Sequence, residues 1–150
     1  MKWSKPRHGM ALRLHAIERA RRGAAEAALA RAAEEAARAG VAEQDAADSV
    51  RAAEAEWVTR MTGGQLDLDI GRLLSRELIE RETERSAAQA RAAECKSLEE
   101  GARSQVQALD AAVRSGERTL RKGRRQLSRK AETARESAQS DLTSWRWFDR

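Results

Sequence analysis

Small and apolar residues recur at alternating steps of three and four along the first sixty residues of the chain. This spacing is typical of a helix that packs one narrow stripe against a second helix. The stripe is formed by Leu29, Ala32, Ala36, Ala39, Glu43, Ala46, Val50, Ala53 and Trp57. Met10, Leu14 and Ile17 have the same spacing but stand one position out of phase. We therefore predict a first helix over about 10–61, with a register slip near Gly23.

A second stripe with the same spacing follows in the later half of the chain. Between the two stripes, Gly63 and Gly64 supply a helix stop, and an Asp, either Asp67 or Asp69, can cap the start of the next helix. We predict a turn over about 62–67 and a second helix over about 68–145. Its stripe comprises Val106, Leu109, Val113, Gly116, Leu120, Gly123, Leu127, Ala131, Ala134 and Ala138, and extends to Leu142 and Trp145.

These patterns predict an all-α fold, a long antiparallel two-helix coiled-coil hairpin that forms a single domain over 1–150. At ~1.5 Å per residue the second helix is roughly 40 Å longer than the first, so we expect a C-terminal helical overhang. An isolated helix gains little stability unless another molecule covers its apolar face. The overhang stripe that needs such a cover consists of Leu120, Leu127, Ala134, Leu142 and Trp145.

Composition agrees with long helices, because Ala, Arg, Glu, Leu and Lys together make up 90 of the 150 residues. Leu, Ile, Val and Phe number only 22, too few for a thick globular core. The single Cys95 cannot form an internal disulfide, and residues 1–9 lack the apolar run of a signal peptide. No stretch approaches the ~18 apolar residues of a membrane-spanning helix, so we expect a cytoplasmic protein without a transmembrane segment.

The net charge of +5 conceals a segregation of charge along the chain. Residues 1–22 carry +6 and residues 114–135 carry +7, whereas residues 23–113 carry −7 and residues 136–150 carry −1. In a hairpin, the two basic blocks meet at the end that holds both termini. We therefore expect one dense positive region rather than an even distribution of charge.

Nothing in the sequence favours catalysis or cofactor binding. A two-helix hairpin offers no shielded concavity for an active site, so we predict no enzyme, no cofactor and no small-molecule substrate. His8 and His15 are the only histidines, and Cys95 has no partner at ligand spacing, so we predict no metal site. Gly63 and Gly64 are not followed by the Lys and Ser or Thr of a phosphate-binding loop.

The arginines and lysines between residues 118 and 130 could contact nucleic-acid phosphates. Against this interpretation, the basic face carries no interleaved aromatic residues on which bases could stack. We therefore favour an acidic protein surface as the partner. The segment 145–148, with three aromatic residues, could touch a membrane interface, although it is too short for a stable amphipathic anchor, or it could fold back as a terminal clasp.

The Arg-rich chain ends, the C-terminal overhang and the approach to the turn through Trp57, Met61 and Gly63 resemble the FliJ/YscO family of type III secretion stalk proteins. The resemblance covers the whole chain and implies a hairpin whose terminal helices enter the pore of the hexameric secretion ATPase. The other end would face the export gate protein at the cytoplasmic face of the inner membrane, and contact with secretion chaperones is left open. The sequence departs from the family in its Ala-rich first helix, and the segment 145–148 has no known role there.

By position, the resemblance assigns ATPase binding to Arg13, Arg19, Arg21, Arg22, Arg118, Arg121, Arg124 and Arg125. It assigns export-gate binding to Trp57, Ile70, Leu73, Leu74 and Leu78. The expected function is that of a non-enzymatic stalk component, and a virulence, symbiotic or flagellar system fits equally well. The alternative is a basic helical nucleic-acid-binding or scaffold protein.

Overall fold

The computed structural model describes residues 3–64 and 67–148, of which 143, 144 and 146–148 are described by their backbone alone. It contains two α-helices, α1 (Lys5–Thr62) and α2 (Leu68–Phe148), with extensive contacts between them. The predicted all-α class is therefore confirmed. Contacts divide the chain into a terminal unit, Met1–Ala24 with Val106–Arg150, and a central unit, Ala25–Gln105. The single continuous hairpin over 1–150 stays a prediction.

Helix α1 begins at Lys5, before the predicted start near residue 10. The carbonyl oxygen of Ser4 accepts a hydrogen bond from the backbone N–H of His8 at 3.0 Å, which closes the first helical turn. Pro6 fits this turn because its fixed φ is helical and its missing N–H would have no helical partner there. Pro6 therefore starts the helix rather than preceding it.

The connection between the helices follows the predicted chemistry. Gly64 has a φ of 88°, a left-handed conformation that glycine adopts without strain. The side-chain oxygen Oδ1 of Asp67 accepts hydrogen bonds from the backbone N–H groups of Asp69 at 3.0 Å and Ile70 at 3.4 Å. Asp67, and not Asp69, is thus the N-cap of α2, which confirms the prediction that an Asp caps this helix. Residues 65 and 66 of the predicted turn lie outside the described part of the chain.

In the central unit, the predicted α1 stripe lies against α2. None of its nine positions is exposed, and Ala39 and Val50 are fully buried. Trp57 Nε1 donates a hydrogen bond to Ser75 Oγ at 3.3 Å, and Arg81 donates one to Ser49. Residues late in α1 thus contact residues early in α2, as in a helical hairpin.

The terminal unit confirms the first part of the predicted α2 stripe. Its seven positions from Val106 to Leu127 are half-buried or buried, and Val113 is only 4% exposed. Every residue from 128 to 142 is exposed, including Ala131, Ala134 and Ala138 of the predicted stripe.

The predicted register slip near Gly23 is wrong. Met10, Leu14 and Ile17 are 67%, 56% and 49% exposed and face away from α2. The contact stripe instead keeps its three-four spacing to the start of α1 through His8, Ala11, His15, Glu18, Arg22 and Ala25.

Glycines on α2 explain how polar side chains occupy this stripe. A Cβ added to Gly116 would lie 2.9 Å from Nδ1 of His15, closer than non-bonded atoms approach. At Gly123 it would lie 2.8 Å from Cε3 of Trp3. The missing side chains leave room for two aromatic rings, so the helix keeps its phase and its larger apolar residues remain outside.

Candidate partner-binding surfaces

The two units carry net charges of opposite sign, as the sequence blocks suggested. The residues of the terminal unit include 18 basic and seven acidic side chains, a net charge of +11. Those of the central unit include 11 basic and 17 acidic side chains, a net charge of −6. The segregation along the chain is thus also a segregation between the two compact units.

The central unit neutralises most of its own positive charge. Seven of its arginines form ion pairs with a carboxylate three or four residues away on the same helix. Such pairs contribute about 0.2–0.5 kcal/mol each to a helix. They also leave little uncompensated positive charge for a partner. The paired arginines are Arg38, Arg51, Arg60, Arg76, Arg81, Arg85 and Arg103.

The terminal unit contains all eight arginines that the resemblance assigns to ATPase binding. Seven of them are exposed and form no ion pair within the described residues, namely Arg13, Arg19, Arg21, Arg118, Arg121, Arg124 and Arg125. The eighth, Arg22, is half-buried, and its Nε lies 2.8 Å from Oδ1 of Asp110. Asp110 also pairs with Arg114. Arg22 therefore joins the two helices, while the other seven remain available to a partner.

A groove of about 440 Å³ brings part of this set together with α1. It is lined by His8, Leu12, Glu117, Leu120, Arg121 and Arg124. Leu12 is 48% exposed, so the groove combines an accessible apolar floor with two guanidinium groups at its edge. Glu117 is the single carboxylate among these residues. The combination suits an acidic side chain carried on an apolar surface.

A contact missed by sequence reasoning closes the start of the chain onto α2. The indole of Trp3 lies against Gly123 and meets the ring of His8 edge-on, with 6.0 Å between ring centroids. Lys130 Nζ donates a hydrogen bond to the carbonyl oxygen of Trp3 at 2.9 Å. The glycine on the α2 stripe was the only signal for this contact, because a missing Cβ marks a place of close approach.

A second feature missed by sequence reasoning is the exposed apolar face near the start of α1. Met10, Leu14 and Ile17 were predicted to pack against α2, but they lie on the surface beside the exposed Arg13 and Arg21. Protein interfaces commonly combine an apolar centre with a polar rim in which arginine is enriched. This face therefore adds apolar contact area to the basic surface of the terminal unit.

The five residues assigned to export-gate binding separate into two groups in the central unit. Trp57, Leu74 and Leu78 are half-buried, whereas Ile70 and Leu73 are 40% and 67% exposed. The first group can hold the helices together, and only the second is exposed to a partner.

Other exposed apolar residues of the central unit were absent from the predicted set. Val58, Leu68 and Ile79 are 52%, 68% and 67% exposed. Leu68 and Ile79 share a groove of about 390 Å³, which Met61, Gly71, Arg72, Ser75 and Arg76 also line. The resemblance did not assign Leu68 or Ile79 to gate binding, and only their exposure in the structure selects them.

Among the described residues, no three His, Cys, Asp or Glu side chains gather in a group that could hold a metal ion. Cys95 is half-buried and lines a groove with Ala39 and Ala88. No helix in the described part of the chain has the length and apolarity to cross a membrane.

Comparison with known proteins identified no relative of this chain. No family model, curated protein or solved structure matches the chain. The resemblance to type III secretion stalk proteins therefore stays a prediction based on the residues described above.

Proposed function

We propose that the chain is a non-enzymatic stalk component of a type III secretion or flagellar export apparatus. In this proposal the terminal unit docks into the hexameric secretion ATPase, and exposed apolar residues of the central unit contact the export gate protein. The observation that carries the proposal is the uncompensated charge of the terminal unit, +11, together with its seven exposed arginines that form no ion pair among the described residues.

The contrast with the central unit argues that this charge serves binding and not only solubility. Both units are helical and arginine-rich, yet only the central unit places a carboxylate one helical turn from most of its arginines. An acidic partner surface would supply the missing counter-charges. Complementary charge also accelerates association and selects one docking orientation, which a stalk inside a ring requires.

We infer further that the two helices form an antiparallel coiled coil. The contacts of Trp57 with Ser75 and of Ser49 with Arg81 support this arrangement in the central unit. The ion pair between Arg22 and Asp110 supports it in the terminal unit. The three-four spacing of the stripes favours the same geometry.

Of the five residues that the resemblance assigns to export-gate binding, we retain the two exposed ones as contacts with the gate. Ile70 and Leu73 would contact the gate directly, and we add Leu68 and Ile79 because they are more exposed than most apolar residues of the central unit. Trp57 would act indirectly, by fixing α1 against α2 through its hydrogen bond to Ser75.

The test is direct binding of the purified secretion ATPase to two matched triple variants. The first reverses charge at the terminal unit (Arg121→Glu, Arg124→Glu, Arg125→Glu). The second makes the same change at three exposed arginines of the central unit, Arg31, Arg72 and Arg91, which also form no ion pair among the described residues.

At about 0.2–1 kcal/mol per exposed charge contact, the first variant should weaken ATPase binding by roughly 10-fold or more. The second variant should bind like the wild type. Equal losses in the two variants would mean that net charge alone attracts the ATPase, and unchanged binding by the first would remove the proposed interface.

The alternative function, binding of nucleic acid or scaffolding, rests on the same arginines and has its own outcome. It is supported if the protein binds duplex DNA or RNA with a steep dependence on salt concentration and does not bind the ATPase at low salt. Binding to the ATPase and binding to nucleic acid can be measured over the same series of salt concentrations. Both associations weaken as salt rises, so the comparison at low salt decides which partner the protein binds.

A further inference from the structure

The last part of α2 presents a helix face that no other described residue of the terminal unit covers. Every residue from 128 to 142 is exposed, and Leu142 and Trp145 are 68% and 76% exposed. With Ala131, Ala134 and Ala138 they form one stripe of small and apolar side chains. A helix of this length is marginal in water unless its apolar face is buried, so the stripe indicates a binding surface.

The charges along this segment indicate which partner fits the face. Residues 128–135 contain three basic side chains and one acidic side chain, a net charge of +2. Residues 136–142 contain two acidic side chains and no basic one, a net charge of −2. A second copy of the same segment in antiparallel orientation would place each half opposite a half of the other sign. A parallel copy would place like charges together.

We propose that this face binds a second copy of the chain in an antiparallel, two-fold symmetric contact centred between Arg135 and Glu136. In this arrangement Lys130 of each copy faces Asp141 of the other along one flank of the stripe. Because a two-fold contact uses the same patch on both copies, each favourable pair occurs twice. The contact is independent of the proposed function.

The small residues of the stripe suit such a contact. Ala134 and Ala138 lie close to the centre, so the two helices can approach closely there, while Leu142 and Trp145 supply apolar area on either side. From Leu120 onward, successive positions of the stripe are three, four and four residues apart. This spacing then repeats, so the stripe has a period of eleven residues. A period of eleven keeps one face in line along a helix that is nearly straight or slightly right-handed in its supercoil.

Sedimentation equilibrium of the full-length chain over a range of concentrations tests the proposal. The wild type should show a reversible monomer–dimer equilibrium. The double variant Leu142→Ser, Trp145→Ser should be monomeric yet equally helical, because both side chains are exposed in the single chain. Leu98→Ser is the matched control, since Leu98 is 59% exposed but belongs to the central unit, and it should dimerise like the wild type.

The charge contacts have their own variants. Asp141→Lys replaces two attractive contacts per dimer by two repulsive ones, so dimerisation should weaken by about 5-fold or more. Adding Lys130→Asp to the same chain exchanges the two charges and should restore dimerisation. Failure of the exchange to restore it would argue against these pairs.

Disulfide trapping determines the orientation, with Cys95→Ser as the background. In the antiparallel contact the two copies of residue 131 are about 13 Å apart along the axis, too far for a disulfide. Ala131→Cys should therefore form no disulfide with itself but should form one with a Leu142→Cys chain, since both residues lie on the stripe and are about 3 Å apart along the axis.

Three results would overturn the proposal. They are a wild type that stays monomeric at all concentrations, a dimer that survives the loss of Leu142 and Trp145, and efficient self-linking of Ala131→Cys.

Discussion

Replacing Gly123 by alanine should destabilise the terminal unit, although alanine is the better helix former. In the interior of a helix, Gly→Ala stabilises by about 1 kcal/mol. At Gly123, however, the added Cβ would lie 2.8–2.9 Å from three ring atoms of Trp3, where ordinary contacts are 3.4–4 Å. The indole is rigid, so the whole ring must move by more than half an ångström.

Overpacking of this kind costs about 1–3 kcal/mol. The net effect of Gly123→Ala is therefore a loss of about 0–2 kcal/mol. Gly23→Ala is the matched control in the same unit, because a Cβ there would meet nothing within 4 Å. It should stabilise by about 1 kcal/mol, so the two variants should differ by about 1–3 kcal/mol. For a chain of this size, each 1 kcal/mol corresponds to roughly 2–4 °C in melting temperature.

The assay is urea and thermal unfolding followed by the helical circular dichroism signal. A double-mutant cycle with Trp3→Ala isolates the contact, because Gly123→Ala should become stabilising by about 1 kcal/mol once the ring is gone. The reasoning is refuted if Gly123→Ala stabilises the chain as much as Gly23→Ala while Trp3 is present.

Five further substitutions test the packing of the two units by urea unfolding. Val50→Ala should cost about 2 kcal/mol because Val50 is only 2% exposed, whereas Val58→Ala should be nearly neutral because Val58 is 52% exposed. Leu74→Ala should cost about 1–2 kcal/mol and Leu73→Ala less than about 0.5 kcal/mol, and equal costs would contradict the division of the predicted gate residues. Asp110→Asn should cost about 1 kcal/mol at low salt and less at high salt, since it removes the ion pair that joins the helices of the terminal unit; a cost independent of salt would count against that contact.

The helices and their contact in the central unit could be predicted because the stripe keeps its spacing without a break. Alanines occur on every side of α1, but the positions from Leu29 to Trp57 keep steps of three and four and include the large apolar residues Val50 and Trp57. The turn was equally readable, because Gly64 and Asp67 have conformational and capping preferences that act locally.

The contact in the terminal unit could not be predicted from α1 alone. There the most apolar residues, Met10, Leu14 and Ile17, are exposed, and the polar His15 lies against α2. The register of α1 is decided by the space that glycines leave on the facing side of α2. These glycines are about one hundred residues away in sequence. A periodicity argument considers one helix at a time and therefore selects the wrong face.

The candidate surfaces could be predicted only in part, because some of their features depend on contacts between residues far apart in sequence. Clustering of positive charge in the terminal unit was evident from the blocks of arginine, but the role of Arg22 in an ion pair with Asp110 depends on tertiary contact. Exposure likewise separates Leu73 from Leu74, although the two are neighbours in sequence and chemically identical.

The central claim is that the terminal unit couples this protein to a secretion ATPase, and ATP hydrolysis by the purified enzyme tests it most directly. Hydrolysis should be measured at low salt with the wild type and with the two triple charge-reversal variants, together with co-elution of the two proteins. The proposal predicts stimulation and co-elution with the wild type and the central-unit variant, and loss of both with the terminal-unit variant. Neither stimulation nor co-elution with the wild type at low salt, where charge attraction is strongest, would contradict it.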